Sequence, residues 1–216
     1  DGLLGASLTY RSTTDYYAKI IRRLPGPSGT ACDGVSIFND RIRWRVRPFI
    51  GTITLASERE IPSSVLVQGP WGGNLDVRDF CEGSRIFLNS YVEGGLLFVG
   101  DVHGSQGDGE LSGTADETRA EITLSCEVLK RKRMPHVRIE KADSIIGIAT
   151  GKPLEYAVRE AFVNLLEWLR EDYGFSDRDA YVFLATCPDF RINVYQMVDI
   201  PGIAYTAGAE IPKKYL

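Results

Sequence analysis

The sequence predicts a mainly β protein, sandwich- or barrel-like with many short strands, followed by an α+β C-terminal portion. Three observations lead there. Up to about residue 140, short apolar runs with period-two alternation are separated by glycine-rich turns. Beyond that point one long stretch changes to the period of an amphipathic helix. Composition is ordinary for a globular chain, 44% apolar and 25% charged over 216 residues, enough for one large domain or two small ones sharing a core. We divide the chain into a mixed or linker segment over 1–30, a β-rich domain over 31–140 and an α+β portion over 141–216 packed on it.

In the first segment Tyr16, Tyr17, Ile20, Ile21 and Leu24 have helix-like spacing, and the prolines and glycines from Leu24 to Thr30 break any helix. Val35–Phe38 and Arg41–Arg47, joined at Asn39-Asp40, read as a β-hairpin. Alternation points Ile42, Trp44 and Val46 to the core and puts Arg41, Arg43, Arg45 and Arg47 on the other face, where acidic partners are expected. Further strands are expected at Ile50–Ala56, Arg85–Val92, Leu96–His103, Ala120–Leu129 and His136–Glu140. In the fourth of these, Ile122, Leu124, Cys126 and Val128 alternate with polar residues, the mark of one buried face.

Pro153 suits a first helical turn, and the stripe from Leu154 to Leu169 follows it, with Gly174 as the C-terminal cap. Ser176 with Asp179 starts a second helix through Leu184. A strand at Arg191–Val198 and a Pro/Gly-rich tail complete the order.

Several function classes are excluded or disfavoured. With 25 basic and 29 acidic residues the chain is a poor candidate for binding nucleic acid by phosphate neutralisation. No run approaches the roughly 18 to 20 apolar residues that span a bilayer. Cys32, Cys81, Cys126 and Cys187 form no CxxC pair, so a thiolate zinc site is not expected; reduced thiols and no signal-peptide pattern fit a cytoplasmic protein. No Gly-x-Ser-x-Gly elbow is present, and the basic run Lys130–Arg133 reads as a solvated turn. His136 reads as a residue on a solvated strand face.

The chemistry concentrates around the other histidine. Asp101 and His103 project from one face of a strand and can reach one divalent ion; Asn74 and Asp76 have the same spacing. Gly104, Gly107 and Gly109 allow a tight bend that returns Asp108 and Glu110, then Asp116 and Glu117, towards that place. Each glycine–acid pair taken singly also suits turn chemistry. Several carboxylates with one histidine and no cysteine point to a divalent metal, zinc first, with calcium or manganese as alternatives. Carboxylates that close repel unless a cation compensates them or one is protonated. A bound ion also lowers the pKa of water from about 16 towards 7, leaving a free carboxylate to move the proton.

The same residues carry a resemblance. Gly69-Pro-Trp-Gly-Gly-Asn-Leu-Asp76, Gly94-Gly-Leu-Leu-Phe-Val-Gly-Asp-Val-His103 and Gln106-Gly-Asp-Gly-Glu-Leu-Ser-Gly-Thr114 with Glu117 resemble, in order, the motifs of the acetamidase/formamidase family. Arg47-Pro-Phe-Ile-Gly51, Ala185–Asn193 and Ile211-Pro-Lys213 extend the resemblance from about residue 44 to the end, with Leu75 in place of the usual methionine.

It implies an acetamidase/formamidase-like fold and a metal-dependent hydrolase that cleaves the C–N bond of a small, formamide- or acetamide-like amide to carboxylate and ammonia. Carried over residue by residue, Asn74, Asp76, Asp101, His103 and Glu117 form the metal and substrate shell. Asp108, Glu110 and Glu117 are candidates for moving protons, and Gly73 and Gln106 for binding substrate. Alternatives are a cyclic amide, urea-like or N-formyl substrate at the same site, or a non-catalytic subunit or binding module of a two-chain enzyme. A homo-oligomer is expected. Family members carry extra strands before the point where this sequence begins, so a second polypeptide supplying N-terminal strands is also expected.

Overall fold

The computed structural model describes residues 19–30, 32–61, 66–130 and 132–216. Three antiparallel sheets and two helices make up its regular structure. One three-stranded sheet holds β1 (Arg22–Leu24), β2 (Val35–Ile37) and β3 (Arg43–Arg45). A five-stranded sheet, which carries the site, runs β5 (Gln68–Gly69), β6 (Gly72–Asn74), β4 (Phe49–Thr54), β8 (Phe98–His103), β9 (Glu117–Thr118). The other five-stranded sheet runs β12 (Arg191–Gln196), β13 (Tyr205–Pro212), β11 (Ser144–Gly151), β10 (Arg138–Glu140), β7 (Arg85–Phe87). Strands β7 and β10 lie before residue 140 in sequence and β11 to β13 after it, so this sheet joins the two sides of the expected division.

The last sheet has two covered faces. Helices α1 (Leu154–Tyr173) and α2 (Asp177–Thr186) pack on one of them, where Ile145, Ala149, Ala209 and Ile211 meet Ala161, Leu165, Trp168, Leu169 and Leu184. On the other face Ile139, Ile146, Ile148 and Tyr195 meet Ile53, Leu75, Val77 and Phe80 from the site-bearing side. Period-two alternation along β11 sorts its residues between these two cores. Gly147 lies on the helix face, where an added Cβ would stand 2.7 Å from the Leu165 amide nitrogen and 2.8 Å from the Ala161 carbonyl oxygen. Both obstacles are backbone and cannot swing aside. We expect Gly147→Ala to cost about 1–3 kcal/mol and to lower the midpoint of a thermal melt by roughly 3–10 °C. An unchanged midpoint would show that helix and sheet have slack.

Helix signals are realised as read: Gly174 caps α1 at φ 73°, and the Ser176 hydroxyl accepts from the Asp179 amide at the start of α2. The β2–β3 hairpin forms, with Arg41, Arg43, Arg45 and Arg47 exposed. Among the described residues none of these four makes an ion pair. Val46 is buried, whereas Ile42 is 49% exposed because it lies in the turn outside the paired residues.

Three expectations are corrected. Tyr16 and Tyr17 lie outside the described residues, but from Arg22 the chain is strand β1 and not helix. Residues 120–129 form no strand: pairing stops at Thr118, and Ile122, Leu124 and Val128 are exposed. Alternation marks a face, but a strand needs a hydrogen-bonded neighbour, and among the described residues no backbone ladder forms with this segment. The region after residue 200, expected as a tail, contains the eight-residue strand β13, which pairs on both edges between β12 and β11. No helix among the described residues is long and apolar enough to cross a membrane.

Candidate metal centre

Register in the site-bearing sheet assembles the centre. Thr52 on β4 stands opposite Asn74 on β6 and Gly100 on β8, while His103 stands opposite Phe49 and Glu117. The Thr52 hydroxyl lies 3.2 Å from Asn74 Oδ1 and 3.0 Å from Asp101 Oδ2, linking two expected ligands through a residue that sequence reading missed. Gly51 was missed as well: a Cβ there would meet the Asp101 carbonyl at 2.7 Å and Asp76 Oδ1 at 2.9 Å. Its signal was its place in Arg47-Pro-Phe-Ile-Gly51.

His103 is 1% exposed, with the Phe49 ring edge-on at 4.9 Å between centroids. Its Nδ1 lies 2.9 Å from Gln106 Oε1, and its Nε2 is 3.3 Å from both Asp101 Oδ1 and Glu117 Oε1. Gln106 in turn donates through Nε2 to the carbonyls of Asp76 (3.0 Å) and Tyr195 (2.9 Å). Both ends of that amide are therefore spent on protein, which makes Gln106 a residue that positions the histidine ring. Gly73, at φ 124°, packs against the Val67 carbonyl, so a close backbone approach accounts for it.

Two overlapping groups of ligand atoms result: Asp76, Asp101 and His103, and His103, Glu110 and Glu117, each with its atoms within 4.8 Å of one another. Asp76, Asp101 and Glu110 all adopt positive φ, at 51°, 58° and 44°. Left-handed backbone is uncommon outside glycine and is concentrated at sites where side chains must converge. Asp108 does not join them, because its carboxylate pairs with Arg78 on the surface. Asp116 turns towards the small sheet instead, accepting from Arg23 at 2.5 Å and Ser36 at 3.3 Å.

The electrostatics call for a cation. Burial, reinforced by the negative charge of Glu110, pushes Asp76 well above the usual carboxylate range. Burial also raises Glu110, to about 7, against the opposing hydrogen bond from Asp76. For His103 burial acts downward, but hydrogen bonds to Asp101 and Glu117 and the charges of Glu117 and Asp76 overcome it and raise the ring to about 11. The His103 hydrogen bond in turn lowers Asp101, against the effect of its burial. Four carboxylates crowd around one imidazole, and a divalent ion would offset their mutual repulsion with greater charge than one imidazolium. Asp76 Oδ1 is buried with no hydrogen-bond partner. An orphan oxygen beside three further carboxylates and one imidazole is a donor set suited to zinc, manganese or calcium. Asp101 and Glu117 keep side-chain exposures of 31% and 40%, so the centre opens to solvent on their side.

A model of the acetamidase/formamidase family matches residues 52–214. A putative formamidase of Schizosaccharomyces pombe is 31% identical over 160 residues, covering 63% of this chain and 38% of that protein. An acetamidase of Mycolicibacterium smegmatis is 33% identical over 141 residues, covering 54% and 34%. The crystal structure of an acetamidase from Yersinia enterocolitica superposes with a TM-score of 0.74 at 34% identity, over 84% of this chain and 53% of that one. The chain therefore spans little more than a third of the length of these two sequence relatives.

Proposed function

Because the chain belongs to the acetamidase/formamidase family, we propose that it hydrolyses the C–N bond of a small amide, giving a carboxylate and ammonia. The single observation that carries this reading is the pair of ligand triads sharing His103. Asp76, Asp101, His103 and Glu117 would hold a divalent ion, zinc by first choice, with Asn74 beside them on the same sheet. Such an ion would supply polarisation of the amide carbonyl and a more acidic water. Glu110 is the general base. Buried beside His103 and Glu117, it would accept the proton of the attacking water and return it to the leaving nitrogen. Gln106 keeps the His103 ring in orientation, and the half-exposed edge at Asp101 and Glu117 is where substrate arrives.

The test combines metal analysis of the purified protein with ammonia release from formamide and acetamide, before and after chelation. We expect a bound divalent ion, ammonia from at least one amide, and loss of release on chelation with recovery when zinc is restored. Ammonia release undiminished in metal-free protein would sink the mechanism, and no release from any amide would sink the activity.

A further inference from the structure

A second group of buried polar atoms lies on β12 and β13, where the neighbouring backbone is tied to the centre, and the mechanism above does not use it. Gln196 is 1% exposed and Thr206 is fully buried. Among the described residues both polar atoms of the Gln196 amide and the Thr206 hydroxyl lack a hydrogen-bond partner. Such atoms are expensive to bury unpaired, and native proteins pair nearly all of them.

Position makes these orphans informative. Gln196 and Thr206 are register partners across β12 and β13, so their side chains leave the same face of the sheet. That face is the one shared by Gly208, where an added Cβ would meet Tyr195, Ile146 and Ile148, members of the core between the large sheets. A bulge between Val194 and Gln196 lets Tyr195 and Gln196 both be buried in succession. The flanking backbone is clamped to the metal centre on both sides. The Tyr195 carbonyl accepts from Gln106, which also holds Asp76, and the Met197 amide donates to the Gly109 carbonyl, next to Glu110.

Resting on the amidase reading, we propose that Gln196, assisted by Thr206, is the subsite that recognises the amide group of the substrate. The Gln196 carboxamide offers one acceptor and two donors side by side. A primary amide offers the complementary pair, an N–H cis to its carbonyl, so the two groups pair reciprocally. This selects unsubstituted amides: a trans N-methylated amide points its only N–H away from its carbonyl and cannot complete the pair.

Acetamide and N-methylacetamide binding is measured by calorimetry on the metal-loaded protein, its Gln196→Met and Thr206→Val variants, and in parallel with ammonia release. We expect Gln196→Met to weaken acetamide binding roughly tenfold or more, the loss of a buried hydrogen-bonded pair. KM should rise with it, metal content should not change, and the weak binding of N-methylacetamide should not move. Thr206→Val, which keeps the volume, should give a smaller loss in the same direction. Gln196→Met should also melt no lower than the parent, since it removes an orphan amide from the core. Ammonia release with a KM indifferent to both substitutions overturns the subsite. Equal loss for acetamide and N-methylacetamide overturns it too, because recognition would then not depend on the cis N–H. Acetamide binding that depends on Gln196 without any ammonia release would retain the subsite and sink the hydrolytic reading.

Discussion

Replacing His103 by alanine is expected to remove both the bound metal and the ammonia-releasing activity. The imidazole belongs to both ligand triads, so its loss breaks each of them at once. It is 1% exposed beneath Phe49, so no other side chain can move into its place. Metal-assisted activation contributes several kcal/mol, and the fall in kcat/KM should be on the order of a thousandfold or more. Two comparisons sharpen the outcome. Asp108→Asn touches a carboxylate paired with Arg78 outside the centre. His136→Ala removes the other histidine, which lies 3.2 Å from Glu160 on α1. Both should retain metal and most activity. If metal analysis and the ammonia assay find His103→Ala equal to the parent, the ligand assignment is wrong.

The largest effect on stability is expected at Asn164, which has no contact with the metal centre. Its amide donates to the carbonyls of Val137 (2.8 Å) and Ile148 (3.0 Å) and accepts from Arg138 Nε (3.0 Å), with the residue fully buried. Arg138 is itself 1% exposed, bonded to Glu171 at 2.8 Å and stacked 5.3 Å from the Trp168 ring. Asn164→Ala takes a partner from the buried guanidinium and from the Ile148 carbonyl, while the Val137 carbonyl keeps only the Ile148 amide. Removing one partner of a buried charged network costs about 3–5 kcal/mol, a fall of roughly 10 °C in melting midpoint for a chain of this length. The double substitution Arg138→Met with Asn164→Leu should recover much of that loss, because the charge goes together with its partner. Additive losses in a denaturant titration of the two single variants and the double would show that the pair is not coupled.

These two sites differ in how far the sequence displays them. His103 stands among glycines and carboxylates whose spacing is local, and period two along β8 is enough to place Asp101 and His103 on one face. Asn164 sits on the helical stripe of α1 and looks like an interruption of it; only the carbonyls of Val137 and Ile148 beneath explain why it is there. Asp108 and Glu110 are two residues apart and equally acidic, yet one pairs with Arg78 outside the centre and the other enters it. That separation follows from the left-handed turn at Gly109 and Glu110, at φ 80° and 44°. Spacing cannot show it.

What the sequence determined by itself is whatever depends on neighbours along the chain. This covers the alternation of the β2–β3 hairpin and of Asp101 and His103 on β8, the stripe and caps of α1 and α2, and the density of metal-ligating groups between Asn74 and Glu117. Tertiary structure decided what depends on pairing across the chain. It placed β13 between β12 and β11 inside a sheet, left Ile122, Leu124 and Val128 without a paired strand, tied Gln106 to His103, and buried the Gln196 amide beside Thr206. The physical reason is that a strand's own residues specify which faces it has, whereas its hydrogen-bonding edges are satisfied by segments far away in sequence.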